Sequence, residues 1–575
     1  MKYSIIIYFL VITLPTIVHS QVTVGWNSSC DYNVNDDENA LQQAISDGHT
    51  DIRLTNEAEY LHAISIRNQV QIKGGYINCQ EASNGNQTNV NSIINAELDD
   101  FYSGAFIFDI EDADILLDSI TIKNGTDSGI YISKIDGSVT LKNLNVMSNT
   151  GASGGGIYIK NNHTANNPDL LTVEIQNSII QQNQSSTGGG IECLSNGGNV
   201  PILLNINQGT IIHENHADNN GGGLNIWGCE LQFDAGLNMA NNGDIEIFNN
   251  TAGISGGGIS SQDSEINLNG NFTQPFDIDG NEAGFETQNN ASGGGIFVVG
   301  STIVNLINSN ITSNKADKYG AGIMATSGTN ITMDIDENGC DYDEYCSSIS
   351  ANQLFPNSTG GAAIAATGGT IEINRTLINF NNSDGFGYIS YINNDAELTL
   401  ESNLILANGL EQAFTNDNGM YQANTSSISL YYNTTNRNSN FVPLIRADDT
   451  TELTIIGNII DESSDILHSS ANIISSINCN MMAQIDNITA TMTDTIVDRA
   501  DFVDNSTFGD FQLLPTSTHA MDICSFVPYE PSHDLANNPR GADNPDVPDT
   551  NGLYDLGAYE FIPVTDRIFK NGFEQ

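Results

Sequence analysis

The chain predicts an all-β fold, a right-handed parallel β-helix solenoid with a short N-terminal capping helix and a C-terminal cap. Three observations predict it. A glycine tetrad ending in an aliphatic residue returns along the sequence, an Asn precedes each tetrad, and the segments between carry short alternating apolar runs without a helical period. The tetrads read Gly154-Gly155-Gly156-Ile157, Gly188-Gly189-Gly190-Ile191, Gly221-Gly222-Gly223-Leu224, Gly256-Gly257-Gly258-Ile259 and Gly293-Gly294-Gly295-Ile296. Degenerate copies follow at Gly320-Ala321-Gly322-Ile323 and Gly360-Gly361-Ala362-Ala363-Ile364, and the aliphatic ends lie 34, 33, 35, 37, 27 and 41 residues apart. Self-similarity at a period of roughly 20–50 residues marks a solenoid.

The chain begins with an export address over residues 1–20. Lys2 supplies the positive end, Ile5 to Leu14 the apolar stretch, and Val18-His19-Ser20 a small-residue cleavage site before Gln21. No later segment has the length and hydropathy of a transmembrane span. The expected location is therefore outside the cell or on its surface. Eight cysteines fit that oxidising compartment, and neighbouring pairs suggest Cys30–Cys79, Cys193–Cys229, Cys340–Cys346 and Cys479–Cys524. Metal ligation is the competing use of these thiols, but no Cys-x-x-Cys pair is present.

Residues 21–80 read as an N-terminal cap and first strands. Within them 36–48 form an amphipathic helix, with Ala40, Leu41, Ala44 and Ile45 on one face and Gly48 at its end. Coils occupy 81–475 and are most regular over 125–370. Each holds runs such as Val173–Ile175 and Ile179–Ile180, a strand signal rich in β-branched residues. The glycines fit corners that need positive φ or close backbone approach, and the aliphatic residue after them points inward. The preceding Asn residues, Asn149, Asn183, Asn215, Asn249 or Asn250, Asn281 and Asn314, suit an amide ladder between coils. Residues 476–562 supply final coils and the C-terminal cap, and 563–575 form a short tail.

Charge excludes some partners. Lys and Arg number 17 against 70 Asp and Glu, a net charge of −53. A phosphate footprint needs clustered basic residues, so neither nucleic acid nor an anionic membrane surface is an expected partner.

The "GGGI" tetrads with "NHAD", "NTAG", "NEAG" and "NKAD" carry a resemblance to right-handed parallel β-helix proteins of the pectin-lyase-like superfamily. The likeness is to the branch built from Gly-Gly-apolar and Asn-x-Ala repeats, as in polymorphic outer-membrane proteins. "KGGYINC" ending at Cys79 resembles the N-terminal cap of secreted members, and "AMDIC", "DLANNPRG" and "YDLGAYEF" resemble their C-terminal end. Polymorphic outer-membrane proteins end in a membrane barrel, and none is expected here, where fourteen residues follow Phe561.

The resemblance implies polysaccharide lyase chemistry in some members, with Ca²⁺ on acidic side chains and an Arg or Lys base. This chain has no Arg between Arg67 and Arg375, and from Gly155 to Tyr319 its only Lys residues are Lys160, Lys315 and Lys318. β-Elimination needs a base and a cation opposite the substrate carboxylate, so the repeats are poorly equipped for it. For hydrolysis the best paired carboxylates are Asp277 and Asp279, which alternate onto one strand face. His213-Glu214-Asn215-His216 spaces its His residues three apart and sits at an Asn corner, which favours a turn over zinc. The strongest metal signal is Asp334, Asp336 and Asn338 followed by Gly339, the spacing by which alternating oxygens wrap Ca²⁺. Tyr345 stands where the bidentate Glu belongs, with Glu344 one earlier.

The expectation is a secreted or cell-surface protein that binds carbohydrate or another cell-surface ligand without catalysis. Ca²⁺, on Asp334, Asp336, Asn338 and Glu344, is its one candidate cofactor, and its function is expected in the insertions 282–292 and 334–346. The alternatives are an extracellular polysaccharide lyase or hydrolase of the pectin-lyase type, or a surface spacer.

Overall fold

The structure, a computed structural model, describes residues 21–562 except 58, 97–107, 112–113, 135–136, 162–169, 196–201, 208, 235–245, 272–274, 285–289, 337–346, 359, 386–387, 409–420, 425, 437–444, 448–450, 462–466, 470–473, 484–491, 505–509, 525–531, 542–546 and 548–551. The export segment, the Cys340–Cys346 pair, Asn338, Glu344 and the tail 563–575 therefore lie outside the described residues.

Four all-parallel sheets wind into one parallel β-helix. A representative coil runs through Gly137–Lys142 in sheet I, Asn145–Met147 in sheet II, Thr150–Ser153 in sheet III and Ile157–Asn161 in sheet IV. Among the described residues the sheets hold 18, 16, 8 and 14 strands in that order. Each strand pairs with its equivalent one coil away, so a residue's neighbours on a sheet come from about one repeat earlier and later. Alternate side chains point into the solenoid. The aliphatic residue of each tetrad does so in register: Ile157, Ile191, Leu224, Ile259, Ile296 and Ile323 stack, with Ile130 of the preceding coil below them, and all are 0–1 % exposed. Burying each contributes roughly 1.5–3 kcal/mol.

Glycine is required at the III–IV corner for two reasons. Gly188 has φ +63°, a conformation side chains rarely accept. Gly189 does not, but a Cβ there would lie 2.4 Å from the carbonyl oxygen of Gly222 on the next coil. The first glycine makes the bend; the second lets coils stack at strand spacing.

The II–III corner carries the amide ladder. Asn149, Asn183, Asn215, Asn250, Asn281 and Asn314 are buried, and three more rungs, Asn352, Asn381 and Asn408, extend it. Asn183 donates Nδ2 to Asn215 Oδ1 (3.0 Å) and to the Val146 carbonyl (3.0 Å), while its backbone N–H also reaches Asn215 Oδ1 (3.1 Å). The rung residue is Asn250 rather than Asn249, which takes the left-handed position before it at φ +53°. A second ladder, not anticipated from the sequence, runs through Asn403, Asn433, Asn458 and Asn480 at the I–II corner.

Helix α1 (Ala40–Ser46) buries Ala40, Leu41, Ala44 and Ile45 in the same core as the first coils. A second helix, α2 (Cys79–Asn84), is capped by the Asn78 side chain on Glu81 N and ends at the left-handed Gly85. Among the described residues, no helix is long and apolar enough to cross a membrane.

The C-terminal segment reaches back along the outer face of sheet II. Leu377, Leu404, Leu406, Ile459 and Met481 belong to one buried cluster with Phe511, Met521 and Leu556. Its polar anchor is Arg540, whose guanidinium lies 4.7 Å from the centre of the Tyr432 ring and donates to Ser402 Oγ and the Gly557 carbonyl. Four acids, Asp522, Asp534, Asp555 and Glu560, are buried with it, Glu560 as its ion-pair partner at 3.6 Å. Burial, with Glu560 and then Asp522 adding like charge, drives the Asp555 carboxyl well above its ordinary range, and burial raises Asp534 as well.

Candidate functional site

The outer face of sheet IV is where aromatic and polar side chains converge. Strand register aligns Tyr131, Tyr158, Glu192, Asn225, Ser260 and Phe297 in one outward column. Two residues on, a second column runs Lys160, Leu194, Trp227, Gln262 and Val299. Sheet III walls the first column with Ser153, Thr187, Asn220, Ser255 and Ser292, again in register.

The glycine bend makes this corner re-entrant. A Cβ on Gly188 would meet Glu192 Cβ at 2.6 Å, and one on Gly293 would meet Phe297 Cβ at 2.6 Å. Outward side chains of sheet IV thus fold over the corner toward sheet III. Glu192, on the outside of the solenoid, is consequently only 6 % exposed. By contrast Trp227, on the second column, stands 47 % exposed. Trp is enriched at interfaces because one side chain offers a partner both an apolar ring face and an N–H donor.

Glu192 is held by neutral donors. Thr187 Oγ1 donates to Oε2 (2.9 Å) and Asn225 Nδ2 to Oε1 (3.1 Å). Burial raises its pKa, with Thr187, Ser153, Asn225 and the Gly154 N–H opposing. The Tyr158 hydroxyl is pushed up to about 12 by burial first and then by Glu192. Tyr131 packs on Tyr158 with ring centres 5.3 Å apart. Asp127, also near Tyr158, is raised by burial against one backbone N–H from Ala152. Further along the solenoid, Tyr319 stacks on Tyr391 (5.5 Å) and takes Lys318 over its ring.

The sequence-expected residues lie elsewhere. Asp277 and Asp279 do share an outward face, on sheet II. Each accepts from the next coil: Asn310 Nδ2 to Asp277 (2.9 Å) and Thr312 Oγ1 to Asp279 (2.6 Å). Asp334 accepts from Arg375 Nε at 2.7 Å, which competes with a cation for that oxygen, and the Asp336 N–H donates to Asn308. Among the described residues, no group of three or more His, Cys, Asp or Glu is placed to hold a metal ion. His213 stacks on Phe248 at 4.8 Å, while His216 meets Thr251 on sheet III, so the two rings serve different sheets. The disulfides Cys30–Cys79, Cys193–Cys229 and Cys479–Cys524 are formed, the second bridging successive coils from inside the core.

Reading sequence alone missed Tyr158, Glu192 and Trp227. A signal for Trp227 was present, because Leu224-Asn225-Ile226-Trp227 alternates and the inward Leu224 puts Trp227 outside. Glu192 had none, since its environment comes from a residue five positions back and another one coil ahead.

No protein-family model matches the chain, and no curated protein matches it in sequence.

Proposed function

We propose that this is a secreted or cell-surface β-helix protein that binds a glycan on the outer face of sheet IV. The observation that carries the reading is Trp227, 47 % exposed on a flat strand face between the amides of Asn225 and Gln262. Aromatic faces stack on the apolar sides of sugar rings, and amides and carboxyls take up hydroxyl pairs. Three disulfides support an extracellular location. Membership of the pectin-lyase-like superfamily is part of the same proposal and rests on the tetrads and the parallel coils.

Hydrolysis is the second reading, favoured by the raised carboxyls of Asp127 and Glu192. Their strands lie two coils apart, about 9–10 Å at strand spacing, but both acids reach the coil between, Asp127 at the Ala152 N–H and Glu192 at Ser153 and the Gly154 N–H, and a separation of roughly 6.5–9.5 Å suits an inverting pair. Binding without turnover is preferred because Glu192 is only 6 % exposed and its oxygens already accept from Thr187 and Asn225, which restricts access for substrate and water. A glycan array probed with and without Ca²⁺ tests it: the protein retains at least one glycan, Trp227→Ala loses it, and no reducing or unsaturated ends appear. Product formation abolished by Glu192→Gln would establish the enzyme instead.

A further inference from the structure

Charge on the sheet IV face narrows the class of glycan it takes, an inference that rests on this face being the binding surface. From Tyr131 to Phe297 the two columns and the adjoining corner carry Asp127 and Glu192 against one cation, Lys160. Neither carboxyl has a basic side chain among the groups that shift it; Glu192 is held by Thr187, Ser153, Asn225 and a backbone N–H, Asp127 by a backbone N–H alone. A uronate or sulfate laid over Tyr158 would bring a like charge to both, in a corner where burial limits screening. Neutral hydroxyls meet no such cost and find the side-chain amides of Asn225 and Gln262 in the two columns.

Geometry adds length. Tyr158 and Phe297 occupy the same column four coils apart. At strand spacing that is on the order of 19 Å, about four to five sugar units.

We propose that the ligand is a linear glycan free of carboxylate and sulfate groups, long enough to run from Tyr158 to Phe297. Such a ligand differs in kind from the acidic polymers that the lyase reading requires.

Titration calorimetry on the full chain tests the proposal. The probes are neutral β-linked di- and hexasaccharides of glucose, mannose and N-acetylglucosamine, and hexagalacturonate with and without Ca²⁺. The expected result is binding of at least one neutral hexasaccharide, with its disaccharide and hexagalacturonate each weaker by about tenfold or more. Glu192→Gln should narrow the gap between acidic and neutral probes, while Trp227→Ala should lose both. Hexagalacturonate bound as tightly as the best neutral probe, and released by Trp227→Ala, would overturn the charge class and leave the surface standing. Equal affinity for disaccharide and hexasaccharide would overturn the length. No binding of any probe would overturn the glycan reading and this inference together.

Discussion

Asn225 donates its side-chain amide to Glu192 across one step of the solenoid, 3.1 Å from Nδ2 to Oε1, although 33 residues separate them in sequence. Thr187 holds the other oxygen from the sheet III wall. The acid is fixed by its neighbours before any ligand arrives, one oxygen on the sheet III wall and the other on the next residue of its own column. Removing the amide with Asn225→Ala should release Glu192 toward solvent and weaken glycan binding by roughly tenfold, about 1.4 kcal/mol, with the melting temperature little changed. Calorimetry beside a thermal melt separates the two effects.

The Asn ladder predicts a contrast between adjacent residues. Asn250→Ala leaves the buried Asn215 backbone N–H without its acceptor and takes a donor from the Ile212 carbonyl and from Asn281 Oδ1. At roughly 1–3 kcal/mol per orphaned group, the loss should exceed any single surface change. Asn249→Gly, one place before a rung, keeps a left-handed position glycine accepts and should change stability by less than about 1 kcal/mol. Chemical denaturation of the two variants checks this; equal losses would contradict the assignment of the rung to Asn250.

Ala351 sits in the left-handed region at φ +55° with its side chain in solvent. Such a residue costs roughly 1–2 kcal/mol, more than the roughly 0.4–1 kcal/mol of unfolded-state entropy that glycine adds. Ala351→Gly should therefore stabilise the protein by up to about 1 kcal/mol, seen as a higher denaturation midpoint.

The C-terminal segment should respond to pH with a definite sign. Asp534 and Asp555 are raised when folded, chiefly by burial. Their folded forms hold protons more tightly than the unfolded chain, whose Asp titrates near 3.9, so stability is fully present below about pH 4 and is lost as pH rises through the folded values. Glu59, lowered by its bonds to Lys123 and Asn95, acts in the opposite sense at the other end of the chain. Limited proteolysis should cut the C-terminal segment faster at pH 8 than at pH 5.5, and Asp555→Asn should flatten the difference. Arg540→Ala should release the segment at every pH, since an unpaired buried Glu560 costs about 3–5 kcal/mol.

The scaffold was legible because its constraints repeat. Gly188 and Gly189 recur as the bend and the close approach, and Asn183 recurs as the rung, so one coil explains the others. The C-terminal packing had a readable sign as well: Leu404-Ile405-Leu406 breaks the alternation, apolar on both faces, because Leu404 and Leu406 meet the segment around Phe511 while Ile405 enters the main core. The site was less legible. Insertions drew attention to 282–292 and 334–346, whereas the aromatic and carboxyl side chains gather on regular strands. Their convergence arises from stacking across coils, which no local window of sequence contains.

Trp227 provides the most direct measurement. The chain has two Trp residues, and Trp26 packs against the core near the N-terminal end. In a Trp26→Phe protein all indole emission comes from Trp227. Titration with a glycan retained on the array should shift that emission to the blue, saturably, and shield it from acrylamide quenching. Unchanged emission and quenching while the same glycan binds would place the site elsewhere and contradict the sheet IV assignment.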